Sequence, residues 1–441
     1  APKYGELTVV SRRALAVDSK GEILEVSDFQ ELEVARLCAL AGCSKDSVIQ
    51  LPADHVLCPG FIDVHIHAPQ YTYTGTATDR DLMEWLDHYT FPSEAVVNSD
   101  EAVAREAYTA VAEATLLHGT TTAMYFATTG QRACEVLVEV LAELGQRALV
   151  GKVCQDRNSP DGVAETTASS LATAEAFIHH VRRSVAGQAG RLLPVITPRF
   201  VPTCTEELLR GLGTLAEKHD THVTSHISES LDQVAFVESL HPGRRDTEIF
   251  RDAGLLTGKA VMAHGTQLTE SELMELAAAG TAIAHCPLSN FFFGNGLLSV
   301  ERCRRLGVKV GLATDVAGGY SPSMLSAIRN AVITSKILKT PACAGSSGQQ
   351  KAQEDEFDYR HAFWLATAGS AESLAMQDKI GSLQAGMQFD ALQVDLSAET
   401  AGYHVFSSDS PAARLEKWLN LGDDRQITRV WVDGKKIRPH Q

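Results

Sequence analysis

The chain has 441 residues, 44% of them hydrophobic, enough to bury a barrel of about 250 residues and leave a second body over. Its 55 Asp and Glu against 39 Lys and Arg give a net charge of −16, which excludes the basic face that nonspecific nucleic-acid binding requires. No apolar run approaches the roughly 20 residues of a membrane span, and the Ala-Pro-Lys-Tyr start shows no signal-peptide pattern. Nine cysteines without a framework of fixed spacing read as reduced thiols of a cytosolic protein.

Residues 1–58 hold short β-rich stretches at Glu6–Val10 and Glu22–Val26, separated by turn residues. The apolar run Val56–Ile62 then leads into Asp63-Val64-His65-Ile66-His67. Strand residues two apart share a face, so His65 and His67 present their imidazoles side by side. Such a pair is half of a metal site or a pair of hydrogen-bonded core histidines. From Pro59 onward strands alternate with helices: Gly119–Phe126, Arg147–Cys154, Leu192–Thr197, Thr221–His226, Ala260–His264, Thr281–His285 and Val308–Asp315. With the first histidine strand these supply the eight that a closed parallel barrel needs. Helices are expected at Glu270–Ala279 and Pro322–Ile337, with the last barrel helix over His361–Met376 and a loop of small and polar residues at Thr340–Glu356. After Ile380 the pattern returns to β, at Phe389–Val394 and Ile427–Val432, the latter closed by Asp433-Gly434. The expected fold is α/β: a (β/α)8 barrel over 59–379, with a small β-sandwich domain built from both chain ends, 1–58 plus 380–441.

A barrel of this kind builds its active site from polar residues at the carboxyl ends of its strands. Here those ends carry His226, His264, His285 and Asp315. For His285, followed by Cys286-Pro287, a core histidine and a ligand both stay open. His222, deeper in its strand, reads as a packed barrel residue. Glu229, three residues after His226, is either a proton shuttle facing the same pocket or a carboxylate favoured by a helix N-terminus. Asp315 is either a ligand or a helix N-cap, and the company of three strand-end histidines moves both carboxylates toward function. His55, His88, His118, His219 and His241 read as surface or structural, and Lys152 likewise.

Nine stretches carry a family resemblance: Pro59–Tyr71 (PGFIDVHIHAPQY), Gly119–Thr128, Gly145–Asp156, Thr197–Phe200 (TPRF), Ser225–Glu229 (SHISE), Met262–Gly265 (MAHG), Ile283–Asn290 (IAHCPLSN), Gly311–Leu325 and Leu421–Arg425. Together they resemble the amidohydrolase superfamily and, within it, the guanine deaminases. The metal motifs are shared by many amidohydrolases. The contexts of Gln70, Arg199-Phe200 and Gly318-Gly319-Tyr320 are more particular to the guanine deaminases.

The resemblance implies one zinc ion per chain, held by His65, His67, His226 and Asp315, a ligand set that suits iron as well. A lysine bridging two ions in two-metal relatives has no counterpart in Leu192–Phe200. His264 is expected to hydrogen-bond the activated water or the substrate. Gln70 and Arg199 would read the polar edge of guanine with Phe200 against the ring, and His226 would stand beside the substrate. The implied reaction is hydrolysis of guanine to xanthine and ammonia. Asp315 would take a proton from the water, and Glu229 would pass one to a ring nitrogen. The implied partners are the small purine and a second copy of the chain, in a homodimer. Two departures stand out: Pro69 stiffens the loop before Gln70, and Phe291-Phe292-Phe293-Gly294-Asn295-Gly296 is unusually aromatic, as a lid or dimer contact or for base stacking. A rival deaminase acting on 8-oxoguanine, cytosine or a triazine would share every metal residue. A non-catalytic scaffold relative would be expected to have lost ligands that are all present.

Overall fold

The computed structural model describes residues 3–184, 190–294, 296–340, 343 and 357–437. Their strands are, in chain order, β1 (Arg13–Val17), β2 (Ile23–Asp28), β3 (His55–Pro59), β4 (Phe61–His67), β5 (Thr120–Phe126), β6 (Arg147–Cys154) and β7 (Leu192–Pro198). There follow β8 (His222–Ile227), β9 (Ala260–His264), β10 (Ala282–His285), β11 (Lys309–Leu312), β12 (Ala391–Asp395), β13 (Ile427–Val432) and β14 (Lys435–Ile437). Strands β4 to β11 stand side by side in sequence order, each pair parallel, as one eight-stranded sheet. The predicted barrel is therefore present. Its interior is filled by Val64, Met124, Leu149, Val195, Val261 and Ala263, all buried. Helices cover the outside; Glu270–Ala279 starts at a Thr269–Glu272 capping box and ends at Gly280, matching its predicted span.

The sheet closes at the seam that also carries the site. Asp315 N–H donates to the His65 carbonyl at 3.0 Å and His67 N–H to the Val316 carbonyl at 3.0 Å. Asp63, fully buried on β4, accepts from Thr314 N–H at 3.2 Å and from the Thr314 hydroxyl.

The apolar run Val56–His67 turns out to be two strands in two sheets. β3 pairs with β12 in the antiparallel sheet β14-β13-β12-β3, and β4 opens the barrel. Gly60 makes the switch: its N–H bonds the Asp390 carbonyl while Phe61 N–H bonds Gly119. A Cβ at Gly60 would lie 2.2 Å from Thr121 Oγ1, so the strand change fits glycine alone.

Both chain ends meet as expected. Ile23 N–H donates to Met387 at 2.8 Å and Phe389 N–H to Gly21 at 2.7 Å, and Ile23, Phe389, Ala391 and Trp431 form a shared small core. The first strand is Arg13–Val17, however, and not Glu6–Val10. Leu15 and Val17 pack into this small core, whereas Leu7 and Val9 pack against the barrel's outer cluster and find no strand partner. A helix at Val34–Ala41, burying Leu37 and Cys38, was not anticipated.

The helix predicted over His361–Met376 is broken into Tyr359–Trp364, a π-helical turn Leu365–Gly369 and Ser370–Ser373. The turn sets the Ser370 hydroxyl to donate to Leu365 O and to accept from Leu312 N–H on β11. Lys152 is no surface residue: it is buried in β6 with Nζ at 2.8 and 2.9 Å from the two carboxylate oxygens of Glu165. The loop expected at 340–356 lies, apart from Thr340 and Cys343, outside the described residues. Among the described residues no helix is long and apolar enough to cross a membrane.

Candidate active site

Strand periodicity puts His65 and His67 on the same face at the end of β4, with their Nε2 atoms 3.1 Å apart. His67 Nε2 is 3.1 Å from His226 Nε2 at the end of β8. Asp315 Oδ1, just beyond β11, is 3.2 Å from His65 Nε2 and 3.3 Å from His67 Nε2. All four residues are buried. A tetrahedral ion bonding nitrogen and oxygen at about 2.0–2.1 Å separates its ligands by about 3.3 Å, so this donor set fits a divalent metal.

Protonation agrees with that fit. The His226 Nδ1–H donates to the Arg199 carbonyl at 2.7 Å, which turns the Nε2 lone pair toward the group. Burial pushes the His67 imidazole down to about 4 and, with the neighbouring imidazoles, holds His226 well below its ordinary range. Burial alone would raise the Asp315 carboxyl, but His264, His65 and His67 outweigh it and hold it well below the usual carboxylate range. The group thus sets the His67 and His226 imidazoles, both held toward the neutral form, beside one carboxylate and the Nε2 of His65.

Two further groups border it. His264 Nε2 lies 3.7 Å from Asp315 Oδ2 and 3.5 Å from Glu229 Oε2. Its Nδ1 faces Asn290 Oδ1 at 2.9 Å, and burial lowers its pKa, so the ring is neutral with its Nε2 lone pair toward the site. Burial pushes the Glu229 carboxyl well up, with Asp315 and Asp232 adding to it. Its backbone is held by Gln233, whose Oε1 accepts Glu229 N–H at 2.8 Å. Ser228 (φ 43°), His264 (φ 73°) and Asp315 (φ 52°) leave their strands in the left-handed region, a strain of about 1–3 kcal/mol each. Asp246 pins the first of them, accepting Ser228 N–H at 2.7 Å and its hydroxyl at 2.9 Å.

A cleft beside the four-residue group is lined by Gln70, Arg199, Phe200, Glu229, His264 and Asp315 together with His67 and His226, so most residues singled out in the sequence share one cavity. Arg199 is buried against Glu94, with Nη1–Oε2 at 2.6 Å and Nη2–Oε1 at 3.1 Å. Gln70 Nε2 donates to Glu94 Oε1 at 3.1 Å, and Gln70 Oε1 accepts Ala317 N–H at 3.2 Å. Phe293 of the aromatic stretch lines the cleft against Trp85, 4.7 Å between ring centroids; Phe292 is exposed and touches Tyr320.

The open alternative for His285 resolves to a core position. It is fully buried, outside the four-residue group, with neither ring nitrogen hydrogen-bonded. His222 donates from Nε2–H to the Leu374 carbonyl at 2.8 Å and is likewise structural. On the barrel's outside Glu175, His179 and His219 also cluster, but Lys218 Nζ already holds the Glu175 carboxylate at 2.7 Å.

Leu82, Trp85, Leu86 and Glu94 are not among the residues that the sequence motifs point to. They come from one helical excursion after β4: Leu82–Trp85, a π-helical turn Leu86–Thr90, and Phe91–Ser99. The spacing of Leu82, Trp85 and Leu86 signals one apolar face there, which was available to read. Glu94 gives no such signal, because a glutamate in a first helical turn is the ordinary favourable choice.

The sequence profile described as the amidohydrolase family matches residues 56–437. A guanine deaminase of Mus musculus is 40% identical, the match covering 98% of this chain and 93% of that protein. Among solved structures, a guanine deaminase from C. acetobutylicum with bound guanine superposes with a TM-score of 0.83 at 32% identity, over 96% of this chain and 94% of that one. An adenosine deaminase from Xanthomonas campestris with bound zinc superposes with a TM-score of 0.78 at 26% identity, over 97% and 89%.

Proposed function

The chain belongs to the amidohydrolase family, and from that premise we propose that it is a metal-dependent guanine deaminase, hydrolysing guanine to xanthine and ammonia. One observation carries the reading. A single cleft sets the metal-type donors, two proton-handling groups and the hydrogen-bonding pair Gln70 and Arg199 face to face, in a chain similar to guanine deaminases over nearly its whole length.

His65, His67, His226 and Asp315 would hold one ion, and zinc is favoured by the zinc-bound X. campestris relative. When bound, a divalent ion supplies a water that ionises near neutral pH. Asp315, held as a carboxylate, would take up the proton released as water adds to the base. Neutral His264 would accept an O–H at Nε2 and orient the attacking oxygen toward C2 of the base. Glu229, protonated because it is buried, gives its proton from the carboxyl group to a ring nitrogen as C2 becomes tetrahedral. Asp315 then returns its proton to the amino group, which leaves as ammonia, while the new hydroxyl gives its proton back to Glu229 and becomes the second carbonyl.

Arg199 offers donors to the purine carbonyl, and Gln70 offers a donor and an acceptor. Phe200 lies against the ring. A base without the matching groups would leave buried polar atoms unpaired, which is how the cleft selects. The reading extends to a homodimer, on the family resemblance, and to a cytoplasmic setting, which nine unpaired cysteines support. A one-chain mass by light scattering at working concentration would overturn the dimer.

The test is ammonia release from guanine, 8-oxoguanine, adenine and cytosine, with metal content measured on the same sample. The expected result is release from guanine with about one metal per chain. Release from another base alone would keep the metal chemistry and discard the roles of Gln70 and Arg199. No release from any base, with metal bound, would sink the deaminase reading.

A further inference from the structure

Glu94 joins the two residues that read the base. It sits in the helix Phe91–Ser99, is 2% exposed, and stands behind Arg199 and Gln70 rather than in the cleft wall. Three donors converge on it. Arg199 engages it through both terminal nitrogens, at 2.6 and 3.1 Å, and Gln70 Nε2 reaches it at 3.1 Å. Fork-to-fork pairing of this kind fixes the plane of the guanidinium as well as its position. Phe91, on the same helix, adds a second hold, with the Arg199 guanidinium carbon 4.8 Å from its ring centroid.

Gln70 is fixed at both ends. Its Nε2 faces a carboxylate and its Oε1 faces the Ala317 N–H, so a flipped amide would set oxygen against oxygen and N–H against N–H. What remains for a ligand is one N–H and one lone pair of the amide, and those guanidinium donors that Glu94 does not use. Charge is fixed too. A buried guanidinium without its carboxylate would draw any anion into the cleft; paired, it presents donors with no net charge.

We propose that Glu94 is a positioning residue that sets the base specificity of the cleft. It orients Arg199 and Gln70 for a neutral purine and cancels the charge that would otherwise hold an anionic one. The proposal rests on the guanine-deaminase reading. Its consequence concerns the product. Deamination replaces an amino group by a second carbonyl, which makes the ring N–H groups more acidic, so the product is the more anionic base as pH rises. Neutralised Arg199 lets that product go.

The experiment compares wild type, Glu94→Gln and Glu94→Asp in guanine turnover and in inhibition by added xanthine, near pH 6.5 and near pH 8.5, with metal content as a control. In Glu94→Gln, kcat/KM for guanine is expected to fall about 10²-fold from misplaced donors. Xanthine should inhibit it more tightly than wild type, and more so at the higher pH, with metal content unchanged. Glu94→Asp keeps the charge but is too short to hold both partners. It should lower kcat/KM and leave xanthine inhibition as in wild type, and this arm stands if Glu94→Gln does not fold. Equal weakening of guanine and xanthine in Glu94→Gln, or wild-type kcat/KM in Glu94→Asp, would overturn the proposal. Wild type inactive on guanine would sink the deaminase reading and this proposal with it; active wild type with indifferent variants sinks this proposal alone.

Discussion

Replacing Glu229 by Gln separates chemistry from stability, because the structure predicts opposite signs for the two. The Glu229 side chain is buried, 3.5 Å from His264 Nε2, and its shape and backbone bond to Gln233 survive the exchange. As the group that hands a proton to the ring, it should contribute about 10²–10⁴ in rate, or about 3–5 kcal/mol of barrier. Stability runs the other way. The folded carboxyl is raised well above its unfolded value, so folding takes up a proton wherever the unfolded chain is ionised, above about pH 4.3. Glu229 therefore weakens the fold at neutral pH and is without effect below that value. Gln mimics the protonated form and removes the penalty. The expected result is kcat for ammonia release down at least 10²-fold, metal retained, and a Tm higher than wild type at neutral pH but equal near pH 4. Turnover within tenfold of wild type, or a lower Tm at neutral pH, would refute the role assigned to this carboxyl.

Chelation should abolish turnover and lower Tm, with both restored by zinc; His67→Ala and Asp315→Ala should lose the metal, and full metal occupancy in either would move the site elsewhere. Arg199→Ala leaves Glu94 buried without its partner and should cost about 3–5 kcal/mol of stability, while the paired change Arg199→Met with Glu94→Leu recovers most of it. Denaturant unfolding of wild type and the two variants checks this, and an unaffected Arg199→Ala would refute the buried pair. Asp246, fully buried, is pushed up to about 6, so its charge weakens folding increasingly from about pH 4 to pH 6 and constantly above. Asp246→Asn should gain on wild type across that window by up to about 3 kcal/mol; a pH-independent difference would contradict it.

The chemistry at the strand ends was legible because it is local. Two-residue periodicity alone sets His65 beside His67, and an apolar run ending in His226, His264 or Asp315 announces a strand with a polar tip. Eight strand-like runs alternating with helices specify the barrel. The same locality explains the misses. Glu6–Val10 and Arg13–Val17 are equally strand-like as short segments, and only packing decides which reaches the small core. Val56–His67 reads as one strand until Gly60 is seen to hand the chain from Asp390, just before β12, to Gly119, just before β5.

Residue types and their spacing thus determined the fold class, the metal-type donors and the two candidate carboxylates, each through backbone geometry that acts over a few residues. Tertiary structure alone decided which of these groups meet and in what protonation state. It turned Arg199 from a lone cation into half of a buried pair with a carboxylate 105 positions away, and it placed Lys152 inside and His285 apart from the ligands. The physical reason is that burial and pairing are properties of contacts closed by the whole barrel, and no local stretch of sequence encodes the partner it will meet.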